Sequence, residues 1–159
     1  MTTTITGPTY LQALDPLLTT VVAPNAGAVD AEGRFPRAGI DALAQAGLLG
    51  LISAPEVGGL GLGYRAAADV VRRLAQHCGS TALVVCMHYA ATAVIEQHGD
   101  AQARRDAASG ETLATLAFSE AGSRSQFWAP VSTAVNGGPT VRLDAQKSWV
   151  TSAGEADVY

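Results

Sequence analysis

The chain has 159 residues, 48% of them hydrophobic and 15% charged, with ten Lys and Arg against fourteen Asp and Glu for a net charge of −4. That much apolar material suits one buried core and excludes disorder as the default state, and the lack of a basic block argues against nucleic acid as a partner. Cys78 and Cys86 form neither a C-x-x-C pair nor a disulfide framework; they read as buried thiols in a reducing, cytoplasmic setting.

The opening residues, MTTTITGPTY, hold no charged n-region and no apolar h-region, so no secretion signal is expected. From Tyr10 to Val29 the apolar positions Leu11, Leu14, Leu17, Leu18, Val21 and Val22 have helical spacing, with Pro16 and Pro24 as interruptions. Pro36 opens a second helix with Ile40, Leu43 and Ala44 on its inner face and Gly47 as its stop. After a glycine-rich turn, Tyr64 to His77 reads as an amphipathic helix facing inward through Ala68, Val71, Leu74 and Ala75. Ser80 is the expected N-cap of an apolar helix running to about His98. Its apolar run from Thr81 to Ile95 is short for a membrane span and has His88 in its middle, which predicts a buried helix. A short helix from about Ala101 to Ala108 leads to Gly110.

Beyond Gly110 the period changes. Strands are expected at Leu113 to Phe118, Val131 to Val135, Thr140 to Leu143, Lys147 to Thr151 and from Asp157 onward, with Asn136-Gly137-Gly138 as a hairpin turn. Helices first and strands second predict an α+β protein: an N-terminal helical bundle over residues 1–111, then the start of a small antiparallel β-domain over residues 112–159. The final residues, Ala156 to Tyr159, read as a strand without turn or cap, so the chain is expected to be one portion of a longer or divided protein.

Gly61-x-Gly63-x-x-Ala66 has the form of a dinucleotide-binding turn. The element after its helix is another helix, and no acidic residue stands at ribose-binding distance, so a tight turn with close backbone approach is the reading. His77, His88 and His98 lack ligand spacing and read as helix-surface or satisfied core histidines. No G-x-S-x-G elbow and no P-loop occurs. Two stretches remain. Lys147, Trp149 and Thr151 alternate, so on a strand they share a face, where the indole would pack and the hydroxyl would bond a planar heteroaromatic ligand. Ser119 ends the earlier strand in the same manner, and Ala121, Gly122 and Ser123 leave backbone N–H groups room to meet an anion. A sheet-face Trp filling a core is the competing reading.

The stretch AFSEAGSRS, followed some twenty residues on by LDAQKSWVTSAGEADVY, resembles the two flavin-contacting strands of the acyl-CoA dehydrogenase family. There a T/S-E-P-x-x-G-S turn precedes a G-x-K-x-W-I-T strand. The upstream FPRAGIDALAQAGLLGLISAPEVGGLGLGY is similar to that family's first helices and its P-x-x-x-G-G-x-G turn, here Pro55, Gly58, Gly59 and Gly61, so the resemblance runs from about Phe35 to the last residue.

The resemblance implies a flavoprotein oxidoreductase that holds FAD and converts an acyl-CoA thioester to its α,β-unsaturated form with hydride transfer to flavin N5. Carried over by motif position, Leu116, Ala117, Phe118 and Ser119 line the flavin, with Ser119 near its reactive edge. Ser125 meets the cofactor phosphates and the thioester, Trp149 covers the isoalloxazine, and Val150 and Thr151 follow it, with Thr151 near N5. Fixed donors at that edge would stabilise the charge that hydride transfer puts on the ring. The family's catalytic carboxylate lies in a C-terminal helical domain that this chain does not contain, and Glu120 does not stand at its position; Glu120 reads as an ion-paired or capping residue. No metal is expected. Implied partners are an acyl-CoA or related thioester, family chains in a homo- or hetero-oligomer and an electron-transfer flavoprotein, with neither nucleic acid nor membrane.

The sequence departs from the motif at Ala121 for Pro, Arg124 for Gly and Gln126 for Asp, and Arg72-Arg73 replace acidic residues. Arg124 would either block the CoA path or pair with a phosphate or carboxylate. With Trp128 it keeps open a flavin-dependent monooxygenase or oxidase on the same fold. The other alternative is a non-catalytic, truncated subunit that pairs with a homologous chain.

Overall fold

The computed structural model describes residues 9–124, 126 and 128–159. The two N-terminal prolines do not break the first helix. Helix α1 (Thr9–Leu17) passes through one π turn, Leu18–Val22, straight into α2 (Ala23–Glu32). Pro24 has no N–H for the carbonyl four residues back, and its ring presses on that carbonyl. The turn widens instead: the Ala23 N–H reaches back five residues to Leu18 O. The Thr19 and Thr20 hydroxyls both donate to Pro16 O, at 3.1 and 2.8 Å.

Helix α3 (Arg37–Gln45) starts just after Pro36 and buries Ile40 and Leu43. It stops as expected. Gly47 sits at φ +71° and donates to Ala44 O at 2.8 Å, while Leu48 N–H donates to Leu43 O at 2.9 Å, the paired closure of a Schellman motif. The loop that follows folds back on itself, with Leu60 N–H on Gly50 O and Leu62 N–H on Leu51 O, both at 3.0 Å. A Cβ at Gly59 would lie 2.1 Å from the Ser53 carbonyl oxygen. The glycines therefore serve close backbone approach.

Helices α4 (Tyr64–Ala75) and α5 (Gly79–His98) pack side by side. The buried face of α4 is Ala67, Val70 and Leu74. The expected face is off by part of a turn: Ala68 and Ala75 are exposed and Val71 half-buried, while Ala67 and Val70 are buried. Helix α5 begins one residue before Ser80, and its cap is the Cys78 sulfur, which accepts the Thr81 N–H at 3.5 Å. Cys78 is buried; Cys86, expected inside, is exposed. Helix α6 (Ala101–Ser109) is capped by Asp100, whose carboxylate accepts from Gln102 and Ala103 N–H at 2.9 and 2.8 Å. Arg104 then ties α6 to Glu96 of α5 and to Glu56, at 2.8 and 2.9 Å.

The core lies among these helices, where Leu14, Leu43, Leu48, Leu49, Leu51, Val70, Leu74 and Val85 are all but inaccessible. Each such side chain is worth about 1.5–3 kcal/mol of burial. The strands are sparser than the sequence predicts. One antiparallel hairpin forms, β1 (Thr133–Asn136) with β2 (Val141–Asp144), in the register Thr133 to Asp144 and Asn136 to Val141 around the glycine turn. The expected strands at Leu113–Phe118, at Lys147–Thr151 and from Asp157 onward reduce to two isolated bridges, Ala114 with Val158 and Glu120 with Lys147. The first bridge is parallel and the second antiparallel, so the two cannot belong to one continuous ladder. The result is mostly helical with a two-stranded antiparallel sheet.

Candidate flavin-binding face

The segment leaving α6 is fastened to the helices at its first residues. Leu113 and Ala114 are buried, and the Ala114 N–H donates to Nδ1 of His88, deep in α5, at 3.1 Å. Asp157 closes the other side: its carboxylate accepts the Leu113 N–H at 2.8 Å, and its own N–H donates to Leu113 O at 2.9 Å. Thr115 N–H donates to Val158 O at 2.9 Å, and its hydroxyl donates to Thr151 O at 2.8 Å. At the far end Ser148 N–H donates to Ser119 O at 2.8 Å. Residues 113–120 and 147–158 thus lie side by side, and the two stretches singled out by pattern share one surface.

Glu120 holds the next layer. Its side chain is buried, and the carboxylate accepts from Val131 N–H at 2.6 Å, Ser132 N–H at 2.9 Å, the Ser132 hydroxyl and Lys147 Nζ at 2.5 Å. Lys147 above all, with Ser132 and Val131, holds its carboxyl down to about 2 against the usual 4.5. Glu120 is therefore an ion-paired strut between the turn after Ser119, the approach to the hairpin and the Lys147 segment. Ser123 is taken up in the same turn, its N–H and its hydroxyl both donating to Glu120 O at 3.1 and 3.0 Å. That N–H is not open to an anion, contrary to expectation.

The predicted site residues fall as follows. Leu116 and Ala117 are half-buried, Phe118 is 43% exposed and Ser119 is half-buried. Trp149 is 93% exposed, at φ +54°. That left-handed backbone rules out the expected alternation of Lys147, Trp149 and Thr151 along a strand: Lys147 makes its bridge, Trp149 turns the chain, and Thr151 begins a turn. Val150 and Thr151 are half-buried and line a cavity of about 460 Å³ with Arg34–Pro36, Leu83, Val84 and residues 152, 153 and 155; neither Ser119 nor Trp149 reaches it. Ser125 lies outside the described residues. Arg124, where the resembled motif has Gly, sits at φ +51°, the conformation a glycine serves without strain. Arg72 and Arg73 both pair with Asp69, and Arg73 reaches Asp15 of α1 at 2.9 Å, so the basic pair joins α4 to α1.

A family model described as "Acyl-CoA dehydrogenase, N-terminal domain" matches residues 10–110. The chain belongs to the acyl-CoA dehydrogenase family. Among its relatives, the short-chain specific acyl-CoA dehydrogenase of mitochondria from Bos taurus is 29% identical over 138 residues, which are 84% of this chain and 34% of that protein. An acyl-CoA dehydrogenase structure from Geobacillus kaustophilus superposes with a TM-score of 0.80 at 21% identity, over 94% of this chain and 40% of that one. A chain in the structure of the electron transferring flavoprotein of Acidaminococcus fermentans gives 0.84 at 21% identity, over 99% and 43%. At such identities the structures establish a shared fold. The chain spans about a third of the length of the Bos taurus relative. Within the family match lie α1 to α6; the face built from residues 113–120 and 147–158 follows it.

Two contributors to this face were not singled out by sequence reasoning as parts of it. Thr115 had no pattern to mark it. His88 did carry a signal, a lone ionisable group in the middle of an apolar helix, which calls for a partner wherever the helix is buried. Among the described residues no group of three His, Cys, Asp or Glu is placed to hold a metal.

Proposed function

We propose that the protein is the N-terminal portion of an FAD-dependent acyl-CoA dehydrogenase-like oxidoreductase that desaturates an acyl-CoA thioester between its α and β carbons. The observation that supports this most is Trp149: an indole 93% exposed on left-handed backbone, beside the paired segments that contain Ser119 and Thr151. Strained backbone that presents a bare aromatic plate fits a planar ligand that covers it. Bound FAD would supply the acceptor for the hydride leaving the acyl β-carbon. In this reading Trp149 packs on the ring, Thr151 donates near N5, Val150 and Leu116–Ser119 border it, and Ser125 meets phosphate and thioester. A carboxylate outside this chain removes the α-proton, while Glu120, held ionised by Lys147 and Ser132, keeps the turn in place. We extend the proposal to a helical domain over residues 1–111, the start of a β-domain over 112–159, a cytoplasmic location, assembly with family chains and electron delivery to an electron-transfer flavoprotein.

Purified as the full-length protein, the sample should be yellow, and a short-chain acyl-CoA should bleach it without oxygen. Protein that is colourless and takes up no FAD overturns the proposal. Trp149→Ala should weaken FAD binding about tenfold, the loss of one good aromatic contact, with the helical core intact by circular dichroism.

A second reading keeps the flavin and changes the chemistry to oxygen use. It is favoured by Arg124, a charged side chain at a left-handed position in the turn, and by Trp128, 69% exposed nearby in sequence. Oxygen consumption by the reduced protein, outpacing electron transfer to an external acceptor, would select it.

A further inference from the structure

We propose that His88 is a positioning residue: as the neutral imidazole with its proton on Nε2, it fixes where the segment bearing Leu116–Ser119 leaves the helical bundle. The consequence for cofactor binding rests on the flavin reading above; the placement itself does not.

The tautomer follows from the partners. Ala114 N–H can only donate, so Nδ1, 3.1 Å away, holds a lone pair. The Leu49 carbonyl can only accept, so the proton is on Nε2, 3.3 Å from it. The ring is fully buried, and Thr92 beside it uses its hydroxyl on the His88 carbonyl at 2.8 Å. The groups that face the imidazole are Thr92 and Tyr89 of α5, the Leu49 carbonyl of the loop after α3 and the Ala114 amide of the outgoing segment. Tyr89 is the titratable one; it donates to Leu48 O at 2.7 Å, and burial pushes its phenol up, so it stays neutral. Adjacent residues of α5 thus clasp adjacent loop carbonyls, and His88 alone of the pair reaches on to the segment.

That reach matters because of where it lands. Ala114 is the residue bridged to Val158, and Thr115, next to it, bonds Val158 O and Thr151 O. A shift at Ala114 is passed to both edges of the candidate face. Leu113 and Ala114 are the last apolar side chains buried among the described residues, so beyond Ala114 the direction of the segment is set by hydrogen bonds and not by apolar packing. Burial holds the imidazole down to about 4 from 6.5. A second proton would set an N–H against the Ala114 N–H and expel the segment.

The test compares His88→Leu, which lacks the acceptor, with His88→Asn, whose carbonyl stands where Nδ1 stood, in the full-length protein. Hydrogen exchange at Ala114 should speed up tenfold or more in His88→Leu, roughly the cost of an orphaned buried amide, and return to within about threefold in His88→Asn. FAD affinity should follow the same order, with about a tenfold loss and its rescue. Wild-type Ala114 should lose protection as the pH falls through about 4, a step absent in His88→Asn. Should His88→Leu fail to fold, that acid step and the His88→Asn exchange rate decide the matter. Equal Ala114 exchange in all three proteins, or an acid step retained in His88→Asn, overturns the placement. Exchange as expected with FAD bound equally well by both variants and wild type overturns the link to the cofactor. Exchange as expected in proteins that never bind FAD leaves the positioning role standing and removes the flavin reading.

Discussion

Residues 9–114 and residues 115–159 are held together in different ways. The first region buries Leu14, Leu43, Leu48, Leu49, Leu51, Val70, Leu74 and Val85. In the second, the described side chains that are buried are Thr115, Glu120 and Ser123, all polar, while Val135, Val141, Leu143 and Trp149 face outward. Hydrophobic burial is nondirectional and large in sum, so it gives the helices a core of their own. Hydrogen bonds give modest net stability but fix direction, so they align backbone segments without making them robust. The candidate face is therefore a precise arrangement of low intrinsic stability, attached to a stable support.

The largest expected effect breaks the support. Leu74→Ala removes a fully buried side chain from the contact of α4 with α5 and should cost about 2–5 kcal/mol, read from denaturant unfolding followed by helical circular dichroism. The corresponding change in the second region, Leu143→Ala on the exposed hairpin, should fall within about 0.5 kcal/mol. Equal losses at the two sites would erase the distinction between the regions.

Acid should separate them along another axis. The His88 imidazole is held down to about 4 from an ordinary 6.5, so the folded state binds a proton less readily than the unfolded chain. Its stabilising contribution is complete above pH 6.5 and drains away as the pH falls toward 4, about 3 kcal/mol in all. Glu120 is also depressed, to about 2 from 4.5, and its contribution is complete above pH 4.5 and lost as the pH falls toward 2. Stability measured against pH should accordingly decline in two windows. His88→Asn should remove the upper one. Glu120→Gln should remove the lower one and, at neutral pH, loosen the approach to the hairpin with the helices unchanged, visible as faster exchange at the Val131 and Ser132 amides.

The same division governs how much the sequence reveals. Helical periods and the Gly47 stop are local signals, and α1 to α6 lie close to their expected places. Cys86 and the inner face of α4 were misplaced because which side of an apolar helix is covered depends on its neighbours. The strands at Leu113–Phe118 and Lys147–Thr151 had the right residue types, but strands need partners, and a ladder cannot be read from one segment alone. Trp149 at φ +54° has no sequence signal at all, since an aromatic residue is a poor candidate for that conformation. The two stretches read together from the motif nonetheless lie side by side, joined by Ser148 N–H on Ser119 O and the Thr115 hydroxyl on Thr151 O, because hydrogen bonds can align segments that lack regular strand geometry.

The smallest effect sharpens the comparison most finely. Arg37, at the start of α3, lies 4.7 Å over the Phe35 ring and pairs with Glu155 at 2.6 Å, linking the helices to the turn that begins at Thr151. Both charged side chains are nearly half exposed, so the pair is worth less than about 1 kcal/mol and is weakened by salt. Arg37→Ala should barely change global unfolding. The Ala153, Glu155 and Ala156 amides, closed by short-range bonds within that turn, should exchange a few-fold faster, and added salt should bring wild type toward the variant. If the variant instead lowered helix stability by several kcal/mol, the turn would belong to the support and not to the face it presents.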